Sequence, residues 1–392
     1  MKTRKIHLSL LMFFQLGVVG SFLPIISIYL KNYLNFTGIE VGVILSVSAI
    51  PSIIAPFISA WVVDRIITSR RFLAYCHGFA AIAITFISIE QSFTLVLMTY
   101  LLYMIALVPT FALVNALVFQ NSESGATFGS IRVWGTVGWI VAGWFVSLIW
   151  KLTEGPDNMP FALWLSALFS IIMVILTVKL PKLPLEKEKA VSLIPKDAFA
   201  VLMRPEVVLL FVIVFLSACA DKFYLYGSPL FLKNIGIDKD NILLILSLGQ
   251  FPEIIMLFAL SRMIKKFNFK SIFIMALSLQ IFRFLLFWIN GPVVLTFFGV
   301  SLNGFIYSLF YTAAMIYLDE FTDKKSRSGV HQLFSLVYVG AAGLLGNLLA
   351  GWTADNFVMG NSLNFHVFWI VPTAFSLLAL IILAVFMKGQ RA

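Results

Sequence analysis

The sequence predicts an all-α membrane protein of twelve transmembrane helices arranged as two pseudo-symmetric six-helix bundles. Three observations lead there: the composition, the recurrence of apolar stretches one bilayer long, and an internal repeat that divides the chain in two. Of 392 residues, 60% are hydrophobic and only 12% are charged, with a mean hydropathy of +0.98. A water-soluble domain has roughly 25% charged residues, so this chain lacks the polar surface to face water on all sides. A tilted helix needs about 20 apolar residues to cross a bilayer. Such stretches fall at about 7–30, 39–62, 72–89, 92–118, 128–150, 160–178, 207–232, 240–260, 270–290, 292–318, 330–350 and 363–387.

Orientation follows from the basic residues. With the N-terminus inside, the cytoplasmic segments hold 21 lysines and arginines and the outer segments hold four, Lys31, Lys151, Lys233 and Lys239. This positive-inside bias predicts that both termini are cytoplasmic. The same basic loops account for the formal net charge of +10 without nucleic acid, since basic loops beside a membrane face anionic lipid. The first apolar stretch is too long and too poorly punctuated for a cleaved signal peptide. Cys76 and Cys219 both fall inside predicted helices, and the four histidines show no ligand spacing. Neither a disulfide framework nor a metal site is expected.

The interval 179–206, "KLPKLPLEKEKAVSLIPKDAFAVLMRPE", is the longest charged, proline-bearing stretch. It predicts an N-terminal bundle over 1–180, a cytoplasmic linker over 181–206 and a C-terminal bundle over 207–392. An internal repeat supports the division. "ILSVSAIPSIIAPF" at 44–57 and "ILSLGQFPEIIMLF" at 245–258 are identical at seven of fourteen positions, and "YLKN" at 29–32 matches "FLKN" at 231–234. The repeat also separates scaffold from chemistry. Where the first copy has Ala49 and Ser52, the second has Gln250 and Glu253; where the first has Val19 and Gly20, the second has Asp221 and Lys222. One helical frame folds with either set, so the polar replacements are not scaffold requirements.

Five charges lie inside the predicted spans: Arg132, Lys222, Arg283, Asp221 and Glu253. Charges in hydrocarbon are costly and mark pathways or partners. A buried carboxylate beside an arginine can alternate between protonated and ionised forms as its partner moves, which suits proton coupling. Glu253 is the first choice for that carboxylate and Asp221 the second, with Lys222 and Arg283 as charge partners. Arg283 either neutralises an acid or snorkels. Gln250 and Glu253, three apart, share a helix face, whereas adjacent Asp221 and Lys222 diverge by about 100°. Glycines 135, 138, 143, 340, 343, 346 and 351 suit close helix packing.

The string "RVWGTVGW" at 132–139 resembles the nucleoside:proton symporter family of the major facilitator superfamily, together with "PTFALVN" at 109–115, "QFPE" at 250–253 and "RFLLF" at 283–287. The resemblance implies a substrate held near mid-membrane between two related halves. It implies substrate contacts from Arg132, Thr136 and Trp139 on the fifth helix and from Gln250 and Glu253 on the eighth. A tenth-helix aromatic pair of the family falls on Asn303 and Tyr307. On the seventh helix, where the family has a glutamine and an asparagine, this chain has Asp221 and Tyr224. "WVVDRIITSRR" at 61–71 resembles the superfamily's gating loop, with Asp64 and Arg65 in place and Ala60 where glycine is usual.

The chemistry of a nucleoside is compatible with these residues: aromatic rings for the base, and Arg132, Gln250 and Glu253 for hydroxyls and base edges. Two other substrates stay open. An oligosaccharide:proton symporter similar to lactose permease shares the fifth-helix arginine, eighth-helix glutamate and ninth-helix arginine but needs a tenth-helix histidine, which this chain lacks. An aromatic-acid permease would make use of Lys222. Without a nucleotide-binding motif or a nucleophile–base pair, neither an ATP-driven pump nor an enzyme is expected. The expectation is a monomeric secondary transporter of a bacterial inner membrane. Its partners are a small substrate, protons and lipid; its cofactor is none beyond the proton gradient; and it has no metal.

Overall fold

The computed structural model describes residues 2–54, 67–121, 125–153, 158–179, 201, 203–322, 327–359 and 362–388. Asp64 and Arg65, and residues 181–200 of the expected linker, lie outside the described residues. In chain order the helices are α1 (Lys2–Gly20, continued by short 3₁₀, α and π turns to Tyr33), α2 (Gly38–Ile54), α3 (Ser69–Ile87), α4 (Phe93–Gln120), α5 (Gly125–Thr153) and α6 (Phe161–Lys179). They continue as α7 (Pro205–Asn234), α8 (Lys239–Lys266), α9 (Phe269–Ile289), α10 (Val293–Asp319), α11 (Arg327–Asn356) and α12 (Phe365–Phe386). A two-stranded hairpin, β1 (Val358–Met359) with β2 (Ser362–Leu363), joins α11 to α12.

Among the described residues, ten helices are long and apolar enough to cross a membrane, and Gly38–Ile54 is a shorter apolar one. Ten full-length spans thus stand among the described residues where the sequence suggests twelve. The second stretch stops where the described residues stop, and α3, the remaining helix outside the ten, opens with Arg70 and Arg71 in its first turn. The chain is a multi-pass, nearly all-helical membrane protein. Outward faces carry Ile82, Phe258 and Val294, apolar side chains that water would not tolerate in such number.

Side-chain caps set several starts. Thr37 and Glu40 form a reciprocal capping box at α2, Thr68 caps α3, Asn268 caps α9 and Asn364 caps α12. Each oxygen satisfies a backbone N–H that the helix itself leaves unpaired. Three helices contain a π turn: Tyr29–Tyr33 after α1, Tyr307–Thr312 in α10 and Leu336–Ala341 in α11. Such turns shift the register of the side chains that follow and concentrate at functional positions.

The contacts divide the chain into two compact units. One comprises Met1–Phe36, Ile50–Val191 and Ile237–Leu244; the other comprises Thr37–Ala49, Ser192–Gly236 and Ile245–Ala392. In the first unit α1 lies directly on α5. A Cβ on Gly138 would stand 2.0 Å from the Phe13 carbonyl oxygen, and one on Gly20 would stand 2.6 Å from the Trp139 Cα. Only glycine permits that approach, so Gly138 and Gly20 serve packing. A buried polar chain crosses the same unit: Gln15 Nε2 donates to Thr110 Oγ1 at 2.8 Å, and His77 Nε2 lies 3.1 Å from Gln15 Oε1.

In the second unit, α7, α9, α10 and α12 enclose an apolar core that includes Phe211, Val214, Phe273, Leu277, Phe310 and Leu383. Asp355 of α11 accepts the backbone N–H groups of Gly38 and Ile39, the latter at 2.7 Å. Its carboxylate thus meets the positive end of α2. Tyr226 of α7 donates its hydroxyl to the Gly38 carbonyl at 3.1 Å.

Candidate functional site

In the first unit, α5 places Arg132, Thr136 and Trp139 at i, i+4 and i+7, all half-buried. That spacing keeps the three on one face. Arg132 folds back along its own helix, its Nη1 only 2.9 Å from where a Cβ on Gly135 would stand. Glycine at 135 thus leaves the guanidinium room to lie along the helix.

The second unit holds a denser polar cluster, built on five helices. α7 contributes Ser217, Asp221, Lys222 and Tyr224, and α9 contributes Gln280 and Arg283, both fully buried. α10 contributes Asn303, Tyr307 and Tyr311; α8 contributes Gln250 and Glu253; α11 contributes Tyr338. Asp221 and Lys222 diverge as adjacent helical positions must. Asp221 faces α9, its Oδ1 3.7 Å from Arg283 Nη2. Lys222 turns to α11, its Nζ 5.1 Å above the Tyr338 ring. Arg283 therefore neutralises an acid; with no exposed surface, it cannot snorkel to a headgroup.

The guanidinium has further neighbours. Its Nη1 donates to Asn303 Oδ1 at 2.8 Å. Its Cζ sits 4.1 Å from the centre of the Tyr224 ring and 4.7 Å from that of Phe284. A cation over an aromatic face is favourable, more so when desolvated. Tyr224 is buried under this charge and stacks on Phe287 with an interplanar angle of 11°. The Arg283 Nε and Nη2 atoms are buried without a hydrogen-bond partner.

A second arrangement sits one turn along α7 and α9. Ser217 Oγ donates to Gln280 Oε1 at 2.9 Å, and Gln280 Nε2 donates to the Ser217 carbonyl at 3.1 Å. Tyr311 lies with its hydroxyl 3.2 Å from Ser217 Oγ. Since the serine proton is committed to Gln280, Tyr311 is the donor there. Gln280, Ser217, Tyr311 and Tyr338 were not anticipated. The pair Gln280 and Arg283, three apart in an apolar helix, was the legible signal for the first of them.

The π turns shape the aromatic part of the cluster. Tyr307 opens the π turn of α10 and is exposed, whereas Tyr311 in the same turn is buried. Tyr311 meets Tyr338, from the π turn of α11, at a ring separation of 4.4 Å. On α8 a 3₁₀ turn at Ser247–Gly249 precedes Gln250 and Glu253. Ser308 Oγ donates to the Glu253 carbonyl at 3.4 Å. Both α8 side chains are half-buried.

These parts define a class: a helical membrane carrier whose paired and hydrogen-bonded polar groups lie within its spanning helices. The family model described as "Nucleoside H+ symporter" matches residues 1–392, and the chain belongs to that family. It is similar to "Nucleoside permease NupG" of Escherichia coli, 23% identical over 97% of this chain and 96% of the relative. It is also similar to "Xanthosine permease" of Escherichia coli, 25% identical over 96% of this chain and 94% of the relative. A crystal structure of nucleoside transporter NupG, a D323A mutant, superposes with a TM-score of 0.90 at 22% identity, covering 98% of this chain and 100% of the other. The fold is accordingly that of the major facilitator transporters, and the protein is a proton-coupled nucleoside transporter rather than an enzyme.

Proposed function

We propose that this protein takes up nucleosides by alternating access in a bacterial inner membrane, both termini cytoplasmic, acting as a monomer with the proton gradient as its only driving cofactor. The substrate contacts are Arg132, Thr136 and Trp139 of α5, Gln250 and Glu253 of α8, and Asn303 and Tyr307 of α10, with Tyr224 beneath Arg283. Asp221 and Glu253 are the carboxylates available for the proton, Lys222 and Arg283 their charge partners, and Asp64 and Arg65 the gating loop.

The observation that carries this reading is the cluster on α7 to α11. It joins aromatic rings, Tyr307 foremost, to side-chain amides and a carboxylate on neighbouring half-buried positions. A base stacks on an aromatic face, and its edges and the ribose hydroxyls need donors and acceptors. Lactose-like sugars and aromatic acids lack one or the other half of that pattern. The test is uptake of labelled nucleosides into proteoliposomes under an inward proton gradient, competed by oligosaccharides and aromatic acids. Nucleosides alone should compete, and uptake should collapse with a protonophore. Competition by sugars but by no nucleoside would overturn the reading.

A further inference from the structure

We infer that Asp221, rather than Glu253, carries the coupled proton, and that Arg283 and Asn303 relay its protonation state to the nucleoside-binding residues of α10. The inference rests on the proton-coupled nucleoside reading and deepens it.

Geometry distinguishes the two carboxylates. Asp221 is 7% exposed and its partner Arg283 is 0% exposed, so neither group can exchange its partner for bulk water in this conformation. An arginine does not lose its proton. The charge of the pair therefore changes at one place only, the Asp221 carboxyl. Glu253, by contrast, is half-buried, on the α8 face that it shares with Gln250. It is suited to accept hydrogen bonds from ribose hydroxyls.

The pair is also loosely made. A locked arginine–carboxylate bridge is bidentate, with short, parallel hydrogen bonds. Here the single closest approach is 3.7 Å, and Nε and Nη2 are left without hydrogen-bond partners in a fully buried site. Burying charge on such terms is a poor way to brace helices. The internal repeat agrees: the equivalent of Asp221 in the first copy is Val19, and that helix forms without an acid. The guanidinium is instead shared by two acceptors, Asp221 Oδ1 and Asn303 Oδ1, in unequal geometry.

Sharing gives the relay. While Asp221 is ionised it holds the guanidinium towards α7. A proton arriving from the outer aqueous side neutralises the carboxylate, and the guanidinium then turns its unpartnered donors to oxygen acceptors elsewhere. Asn303 Oδ1, already bonded to Nη1, holds one side of the guanidinium, and a nucleoside hydroxyl or carbonyl supplies the acceptor for the freed donors. Asn303 and Tyr307 are four apart on α10, so a shift of the asparagine moves the face that also carries the exposed ring. Protonation thereby raises nucleoside affinity, and by linkage a bound nucleoside raises proton affinity. After the carrier opens inward, the proton leaves Asp221 for the inner aqueous side, the ion pair re-forms and the nucleoside is released.

The other titratable and charged groups near the pair are Cys219, Lys222 and Tyr224 on α7, Glu253 on α8, Tyr307 and Tyr311 on α10, and Tyr338 on α11. On α12 the titratable residue is His366, which packs against Trp288. Lys222 is directed to Tyr338, and Tyr224 presents its ring face to the guanidinium.

The experiment compares wild type with Asp221→Asn, Glu253→Gln and Asn303→Ala in proteoliposomes and in detergent. Wild type should accumulate nucleoside against its gradient, acidify the lumen as it does so, and bind more tightly as pH falls, by up to about tenfold per pH unit. Asp221→Asn should bring the accumulation ratio to one, retain nucleoside counterflow and bind with no dependence on pH. Glu253→Gln should bind more weakly yet still accumulate. Asn303→Ala removes the competing acceptor and should move the pH profile to the acid side, a shift that a purely structural asparagine would not produce. If Asp221→Asn does not fold, Asp221→Glu takes its place, keeping coupling while shifting the pH midpoint. Uphill accumulation by Asp221→Asn at the wild-type proton ratio, or its loss in Glu253→Gln instead, would overturn the inference. A wild type that neither transports nucleosides nor acidifies the lumen overturns the underlying reading, so the two failures are distinguishable.

Discussion

Replacing Gly304 with alanine adds one methyl group where α10 crosses α8. A Cβ on Gly304 would lie 2.1 Å from the Gly249 carbonyl oxygen, 2.4 Å from the Glu253 nitrogen and 3.0 Å from the Glu253 Cα. Non-bonded heavy atoms sit at roughly 3.5 Å or more, so the two helices must part by about 1 Å. All three opposing atoms are backbone, and no side chain can rotate out of the way. Overpacking of this kind costs about 1–3 kcal/mol, of which helix propensity returns up to about 1 kcal/mol. The displaced segments carry Gln250 and Glu253 on one side and Asn303 and Tyr307 on the other. The loss should therefore appear at the substrate as well as in stability, as an affinity about tenfold weaker together with a lowered Tm in detergent. Gly78→Ala in α3 is the matched control. Its nearest neighbour would be Val174 Cγ2 at 3.9 Å, an ordinary contact, and its Tm should be unchanged or slightly raised. Wild-type affinity and Tm in Gly304→Ala would refute the close crossing of α8 and α10.

Two further substitutions probe the supporting structure. Gln280→Leu should destabilise by about 1–2 kcal/mol because the Ser217 hydroxyl loses its buried acceptor; combined with Tyr311→Phe, the loss in Tm should be less than the sum of the two, since both act on Ser217. Asp355→Ala should cost about 1 kcal/mol by uncapping α2, seen as faster hydrogen exchange at the Gly38 and Ile39 amides, whereas Asp355→Asn should largely preserve protection.

Much of the fold was legible because the bilayer imposes a simple rule on sequence. A spanning helix must satisfy its own backbone and present apolar side chains for about 20 residues, and α4 and α12 accordingly contain no Asp, Glu, Lys or Arg at all. Duplication was legible because two copies of one helix pair retain "ILS" and the "P-x-I-I" frame. The count of spans was less secure: α3 begins with two arginines in its first turn, and hydropathy alone does not say which residues begin a span. The π turns of α10 and α11 were not legible, because their residues, YSLFYT and LVYVGA, satisfy the pattern of an ordinary apolar helix. They are a response to packing.

The candidate site divides in the same way. The sequence by itself determined that five charges stand in the membrane and that the second copy of the repeat carries Asp221, Lys222, Gln250 and Glu253 where its template has small or apolar residues. Each of those facts is local, set by the cost of a charge in hydrocarbon. Only the tertiary structure decided how the charges combine. Asp221 and Arg283 are 62 positions apart, and no periodicity states that α7 and α9 would meet at those turns. Nor does it state that Asn303 would share the guanidinium, or that Tyr224 would lie beneath it. Helix faces are written in the spacing of residues, whereas partners depend on which helices pack together and at what rotation, and in this chain that is settled by close backbone crossings such as Gly304 on Gly249.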